Sequence, residues 1–415
     1  MKQLLKKVVI DQQQNLSWHP KNIVRNIPKK LVKSPEILVI SGVRRCGKST
    51  LLQQIRATLP EQNFYLNFDD ERLVGFSVND FQTLHEVFLE LFGEQKTFYF
   101  DEIQNIPEWE RFVRRLYDYG YKVFVTGSNA AMLSRELGTR LTGRYLRWEL
   151  FPFSFNEFLA FKGKKITAGD LLSTSGKTSI LRLFNDYFKH GGFPLYLSSG
   201  NDDYLKSLFE NIIYRDVMVR NNIRNEQEIL TLTRYLASAV AQPSTNNSLS
   251  KIINVKHATT VRKYISCLEN SYLIYQINKY DVSFKKQLHN PKKTYFIDNA
   301  LAQKFGFNFS DNNGQMLENL ALIELKRRSK EVYYHQDKQE CDFVLKEGNH
   351  ICEAIQVCYS FGSAKTKERE IAGLSEAMEQ YRLNKGIILT YDTEEIIRIN
   401  RKVITIIPAW KWLTQ

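Results

Sequence analysis

The sequence predicts an α/β protein in several domains, opening on a parallel β-sheet. Three observations lead there. Short apolar, β-branched runs such as "ILVIS", "TFYF" and "VFVT" each end in small polar or acidic residues, as buried parallel strands do. The first run passes directly into Gly42–Ser49, spaced G-x-x-x-x-G-K-[ST], and then into the helical "STLLQQI". From Gly314 a second helix–strand series begins, and 415 residues exceed one ordinary core, so two to four domains are expected.

Composition narrows the class. Hydrophobic residues make up 43% and charged ones 25%, which excludes wholesale disorder. The net charge of +13 favours a polyanionic partner such as nucleic acid, nucleotide or an acidic membrane face. The excess is patchy. Residues 1–35 carry eight Lys/Arg against one acid, Asp11, and residues 251–330 carry fourteen against six acids. Cys46, Cys267, Cys341, Cys352 and Cys358 show no zinc spacing, so reduced thiols in a cytoplasmic protein are expected. The start lacks an apolar run long enough for a signal peptide, and no stretch approaches a membrane span.

After the basic segment 1–35, residues 36–150 form the expected nucleotide-binding core. Glycines let the loop backbone curl until its N–H groups face phosphate oxygens, and the helix start adds its dipole. Gly42, Val43, Arg44, Arg45, Cys46, Gly47, Lys48, Ser49 and Thr50 are the expected ATP-binding residues. Lys48 reaches the β/γ-phosphates and the Ser49 hydroxyl binds Mg²⁺. "TFYF" ends in Asp101, placed to hold the Mg²⁺ shell, and Glu102, placed to activate the attacking water. "NFDDERL" ends a further strand in Asp69 and Asp70, near the nucleotide or merely solvated. "VFVT" resembles the sensor strand of AAA-type ATPases, which implies Ser128 and Asn129 as candidates to watch the γ-phosphate; a helix N-cap is the alternative reading. Gly176-Lys177-Thr178 is a decoy: no apolar strand precedes it, and it reads as a loop.

Together "GVRRCGKSTLL", "NFDDERL", "DEIQNIPEWERFVRRLYD", "VTGSNAAML", "LTGRY" and "LFPFSFNEFL" resemble the AAA-type P-loop ATPases of bacteria and archaea that carry a C-terminal domain of unknown function. "YFKHGGFPLYL", "IIYRDVMVR", "VRKYISCLENSYLI", "KKTYFIDNAL" and "MLENLALIEL" extend the likeness over nearly the whole chain after Arg25. The resemblance implies a P-loop AAA-type core, a helical lid, a winged helix and a restriction-endonuclease-like α/β domain. It also singles out Arg140 and Arg144 as arginines for the γ-phosphate, in cis or from a neighbouring copy, with Arg144 preferred.

The lid corresponds to residues 151–243, helical and aromatic-rich, with a turn at "HGGFP". "QPSTNNS" reads as a linker into the winged helix, 244–299. There Val261, Tyr264, Ile265 and Leu268 share one helical face, and two strands flank "KKQLHNPKK". Lys256, Arg262, Lys263, Lys285, Lys286, Lys292 and Lys293 are placed for phosphate contacts, although such domains also serve as protein clamps.

In the last domain, 300–415, Glu318 and Asp342 are possible oxygen ligands, but Gln356 and Cys358 stand where the endonuclease pattern has a carboxylate and a lysine. Glu353 lies on the other strand face. The fold is expected to survive with its cutting centre impaired. The expected function is thus a Mg²⁺-dependent ATPase acting as a nucleotide-driven switch that contacts DNA. The alternatives are a signalling or defence ATPase with a protein partner, and an ATP-gated nuclease. No membrane partner is expected, and a homo-oligomer is compatible.

Overall fold

Five strands of a computed structural model form the first sheet: β1 (Ile37–Ser41), β2 (Phe64–Asn67), β3 (Thr97–Asp101), β4 (Lys122–Gly127) and β5 (Tyr145–Glu149). Their order is β2-β3-β4-β1-β5, every pair parallel. The structure describes residues 1–16, 23–130, 141, 143–307, 312–399 and 401–415. The chain divides into two units, one of residues 1–151 with 270–272, the other of 152–269 with 273–415.

In the first unit β1 is buried along its whole length, as its unbroken apolar run requires. Helices α1 (Lys2–Gln14), α2 (Lys29–Lys33), α3 (Lys48–Ala57), α4 (Phe81–Phe92) and α5 (Trp109–Asp118) accompany the sheet. Rings dominate the core: Phe64 stacks on Phe88 at 5.0 Å and Phe81 on Phe112 at 4.7 Å. Helix α1, at the head of the basic stretch, packs into this unit. Leu5, Val8 and Val9 of α1 are buried, and Lys2 and Lys6 pair with Glu90 of α4. Gln12 of α1 also bonds the free edge of the sheet, accepting from Asn67 N–H at 2.8 Å and donating to Asn67 C=O at 3.1 Å.

The second unit begins with helices. Thr174–His190 is one of them, and Gly176-Lys177-Thr178 lies in its first turn rather than in a loop, with Ser173 capping it through Gly176 N–H at 3.1 Å. The "HGGFP" turn ends this helix at Gly191, whose φ is +66°. A Cβ there would meet Asp298 Oδ1 at 2.0 Å, so the turn requires glycine. Asp298 accepts from Gly192 N–H at 2.7 Å and Ala300 N–H at 2.9 Å, and burial pushes its carboxyl up to about 6. Asp216 pairs with Arg220, four residues on along the same helical segment, at 3.2 Å.

"QPSTNNS" is structured rather than a linker. It contributes β6 (Pro243–Ser244), and Thr245 caps the helix Asn246–Ile252. The helix Ala258–Asn270 buries Val261, Tyr264, Ile265 and Leu268. Strands β7 (Ile274–Asn278) and β8 (Lys292–Phe296) pair antiparallel and complete a three-stranded sheet ordered β6-β8-β7. A short helix, Phe284–His289, overlaps the start of "KKQLHNPKK", whose last two lysines open β8.

The final sheet is mixed: β9 (Glu331–Gln336), β10 (Glu340–Glu347), β11 (His350–Val357), β12 (Lys385–Thr390), β13 (Glu395–Ile399) and β14 (Lys402–Pro408), in the order β13-β14-β12-β11-β10-β9. The helices Asn313–Arg327 and Ala364–Gln380 belong to this part. Asn319 explains the "MLENLALIEL" signal. Its amide exchanges hydrogen bonds with Phe296 N–H at 2.8 Å and C=O at 3.0 Å, so a helix is stitched to β8 through buried backbone groups.

Candidate functional site

The loop between β1 and α3 lies at the carboxyl ends of the parallel strands, where open α/β sheets bind ligands. Gly42 has φ +150°, and a Cβ would lie 2.1 Å from the Leu150 carbonyl oxygen. Arg45 and Gly47 also take positive φ, of 66° and 104°. These values produce the concave run of backbone that anions favour. Lys48 opens α3 and is buried. Its Nζ donates to the Gly42 and Val43 carbonyls at 3.2 Å each and lies 3.6 Å from Glu102 Oε1.

Asp101 ends β3 completely buried. It accepts from Thr126 Oγ1 and from the Ser49 hydroxyl. Burial, then the neighbouring Glu102, push its carboxyl up to about 6, against those hydrogen bonds and Lys48. Glu102 adopts φ +50°. Its N–H donates to Thr126 Oγ1 at 2.9 Å and its carboxylate accepts from Gln104 Nε2. A hydroxyl beside a carboxylate is a hard-oxygen donor set, the kind that suits Mg²⁺. Gln104 Nε2 lies 3.4 Å from the Ser128 hydroxyl, so Ser128 is joined to the Glu102 side of the site. Asn129 follows β4 at the same end of the sheet and is half-buried.

Other expected residues are not brought to the loop. Arg144 precedes β5, at the amino ends of the strands: its carbonyl accepts from Ile37 N–H at 2.9 Å and its Nε donates to Asp118 at 2.9 Å. The length of β1 separates it from the loop, roughly 15 Å at 3.3 Å per residue. Arg140 lies outside the described residues. Asp70 is tied to Arg72, whose guanidinium holds its carboxyl down at about 2, and Asp69 is exposed.

Arg25, which no local pattern marks, is the residue that sequence reasoning missed. Its buried guanidinium donates to the Cys46 carbonyl of the loop and to the Phe151 carbonyl, both at 2.6 Å. Gln54 of α3 holds its backbone N–H at 2.9 Å. Arg25→Met is expected to weaken ATP binding roughly 10- to 100-fold, the worth of one charged hydrogen bond. Turnover at saturating ATP should stay near native, and Arg25→Lys should recover part of the affinity. A fall in kcat with unchanged affinity would show that Arg25 does not position the loop.

In the second unit Glu318 and Asp342 do come together, but around a lysine. Lys293 of β8, expected on the surface, is 1% exposed, so it does not contact phosphate. Burial works against its charge, but Glu318 and the other acids around it outweigh that and raise its pKa well above the ordinary value. Burial, then Asp342, push the Glu318 carboxyl upward, while Lys293 and the Tyr295 hydroxyl pull it down. Gln356 is no ligand in waiting. Its Oε1 accepts from Asp342 N–H at 3.1 Å and its Nε2 donates to Glu370 at 2.7 Å.

The sequence profile of an AAA domain matches residues 34–159. Profiles of two domains of unknown function, DUF8612 and DUF4143, match residues 181–311 and 313–412. An uncharacterized protein of Methanocaldococcus jannaschii is 35% identical over 429 residues, covering 99% of this chain and 95% of its own. The chain belongs to this family of prokaryotic AAA-domain proteins. An uncharacterized member from Haemophilus influenzae is 31% identical, covering 91% of this chain and 94% of its own. The family core is a nucleotide-binding ATPase fold. Among solved structures, a variant of Thermotoga maritima RuvB is similar with a TM-score of 0.31 and 14% identity, covering 64% of this chain and 96% of its own. The Aeropyrum pernix ORC1 protein in complex with DNA gives 0.28 and 12%, covering 72% and 89%. Likeness of that degree bears on neither activity nor partner. Among the described residues, no helix is long and apolar enough to cross a membrane.

Proposed function

We propose that the protein is a Mg²⁺-dependent ATPase whose nucleotide state controls its grip on duplex DNA. The observation that carries this reading is the convergence of Lys48, Glu102, Asp101 and Ser49 at one end of the parallel sheet. Gly42 through Thr50 bind the phosphates, with Lys48 meeting their charge. Ser49 and Asp101 hold Mg²⁺, which when bound supplies charge neutralisation of the phosphate oxygens. Glu102 accepts a proton from the attacking water, and Asn129 senses the γ-phosphate. Arg144, at the far end of the strands, serves a neighbouring copy rather than its own loop.

DNA contact is assigned to residues 244–299, read as a winged helix: two helices, then two strands around a wing. Lys256, Arg262, Lys263, Lys285 and Lys286 are exposed there. A groove of about 270 Å³ is lined by Thr245, Asn247, Thr259, Arg262 and Lys292. These cations suit phosphate backbone more than base edges. The test is duplex affinity measured with ATP, with ADP and without nucleotide across a salt series. Nucleotide-dependent affinity that falls as salt rises is expected. Full independence of ATP turnover and DNA affinity at physiological salt would remove the proposal.

One observation favours a protein partner instead. Val282, Phe284 and Leu288 of the wing are exposed, Val282 by 94%. A partner that stays bound in pull-downs after nuclease treatment, and is lost with Phe284→Ser, would support that reading over DNA.

A further inference from the structure

The endonuclease-like pattern asks for oxygen ligands from a helix and two adjacent strands, with an ammonium nearby. The helix Asn313–Arg327 brings Glu318, β10 brings Asp342, and β11 brings Gln356. Cys358 stands at the lysine position, and its thiol is buried. An ammonium is present all the same, delivered by β8. Lys293 Nζ lies 2.9 Å from Glu318 Oε1, 3.1 Å from Asp342 Oδ1 and 2.6 Å from Glu340 Oε1.

We propose that the Lys293 ammonium is the built-in occupant of the space a divalent cation would take between Glu318 and Asp342. The domain then folds as a closed ion cluster and does not load metal. Stoichiometry of donors supports this. An ammonium has three N–H groups, and three carboxylates stand at contact distance. The carboxylate oxygens are further committed: Glu318 Oε1 accepts from the Tyr295 hydroxyl at 2.7 Å, and Asp342 Oδ2 accepts from Val357 N–H at 2.9 Å. Mg²⁺ demands near-octahedral oxygen geometry with several retained waters. A buried centre that already contains a positive charge excludes it by space and by repulsion. Lys293, Glu318, Asp342 and Gln356 are all buried, and the cluster reaches solvent through Glu340, whose side chain is 37% exposed. The tethered cation does structurally what a metal does elsewhere: it ties β8, which bears it, to the helix and to β10 through their acids. This inference stands apart from the nucleotide site.

The test compares the nucleotide-free full chain with Lys293→Met, in the presence and absence of Mn²⁺, by thermal melting and by the electron paramagnetic resonance of free Mn²⁺. The native chain is expected to gain nothing from Mn²⁺ that Asp342→Asn removes. Lys293→Met is expected to melt lower, to bind Mn²⁺ and to regain several degrees with it. Asp342→Asn in that background should abolish the gain. A folded Lys293→Met protein indifferent to Mn²⁺ would overturn the proposal. If Lys293→Met fails to fold in any condition, the native chain decides: Mn²⁺ binding that depends on Asp342 refutes the built-in occupant, and its absence supports it.

Discussion

Lys48→Ala is expected to abolish measurable nucleotide binding. The ammonium is buried and, among the described residues, meets two loop carbonyls and, at 3.6 Å, Glu102. Phosphate oxygens are stronger partners for a desolvated cation than neutral carbonyls. Two charged hydrogen bonds at about 1.5–3 kcal/mol each correspond to a loss of at least roughly a hundredfold in affinity. Calorimetric titration with ATP and ADP measures this directly, with melting curves to confirm that the variant is folded. Retained affinity would remove this loop from the account of function.

Glu102→Gln should do the opposite to the two steps of the cycle. ATP should bind as well as to the native chain, while hydrolysis falls by about 10²–10⁴-fold, the usual contribution of a positioned general base. The backbone around Glu102 is held in place by Thr126 through Glu102 N–H, so an isosteric amide keeps the geometry and loses only basicity. Gln104 faces the same carboxylate, and the variant would place two amides together there. Single-turnover hydrolysis, paired with an ATP affinity measurement, separates the effects. Full turnover in the variant would take Glu102 out of its role.

What the sequence reveals, it reveals locally. The phosphate loop is legible because strand, glycines, lysine and helix are contiguous, and each has a physical reason for its place. The face of Ala258–Asn270 is legible because helical periodicity is a short-range code. "QPSTNNS" misleads for the same reason: Ser, Thr and Asn favour both linkers and helix caps, and here Thr245 is a cap. Gly176-Lys177-Thr178 is obscured by its glycine, which sits in a helix's first turn. Arg25 and Lys293 are illegible because their partners lie far along the chain, at Cys46 and Phe151 for the first and at Glu318, Glu340 and Asp342 for the second. Nothing within a turn or strand of either residue distinguishes it from the other cations of a chain carrying +13.

The pair of hydrogen bonds between Gln12 and Asn67 has its own consequence. Strand β2 is the outermost member of its sheet, and such a margin invites strands from other molecules to add on. A single glutamine amide mimics one peptide unit and closes that invitation. Shortened forms of the protein that begin beyond α1 would therefore be prone to self-association through this margin.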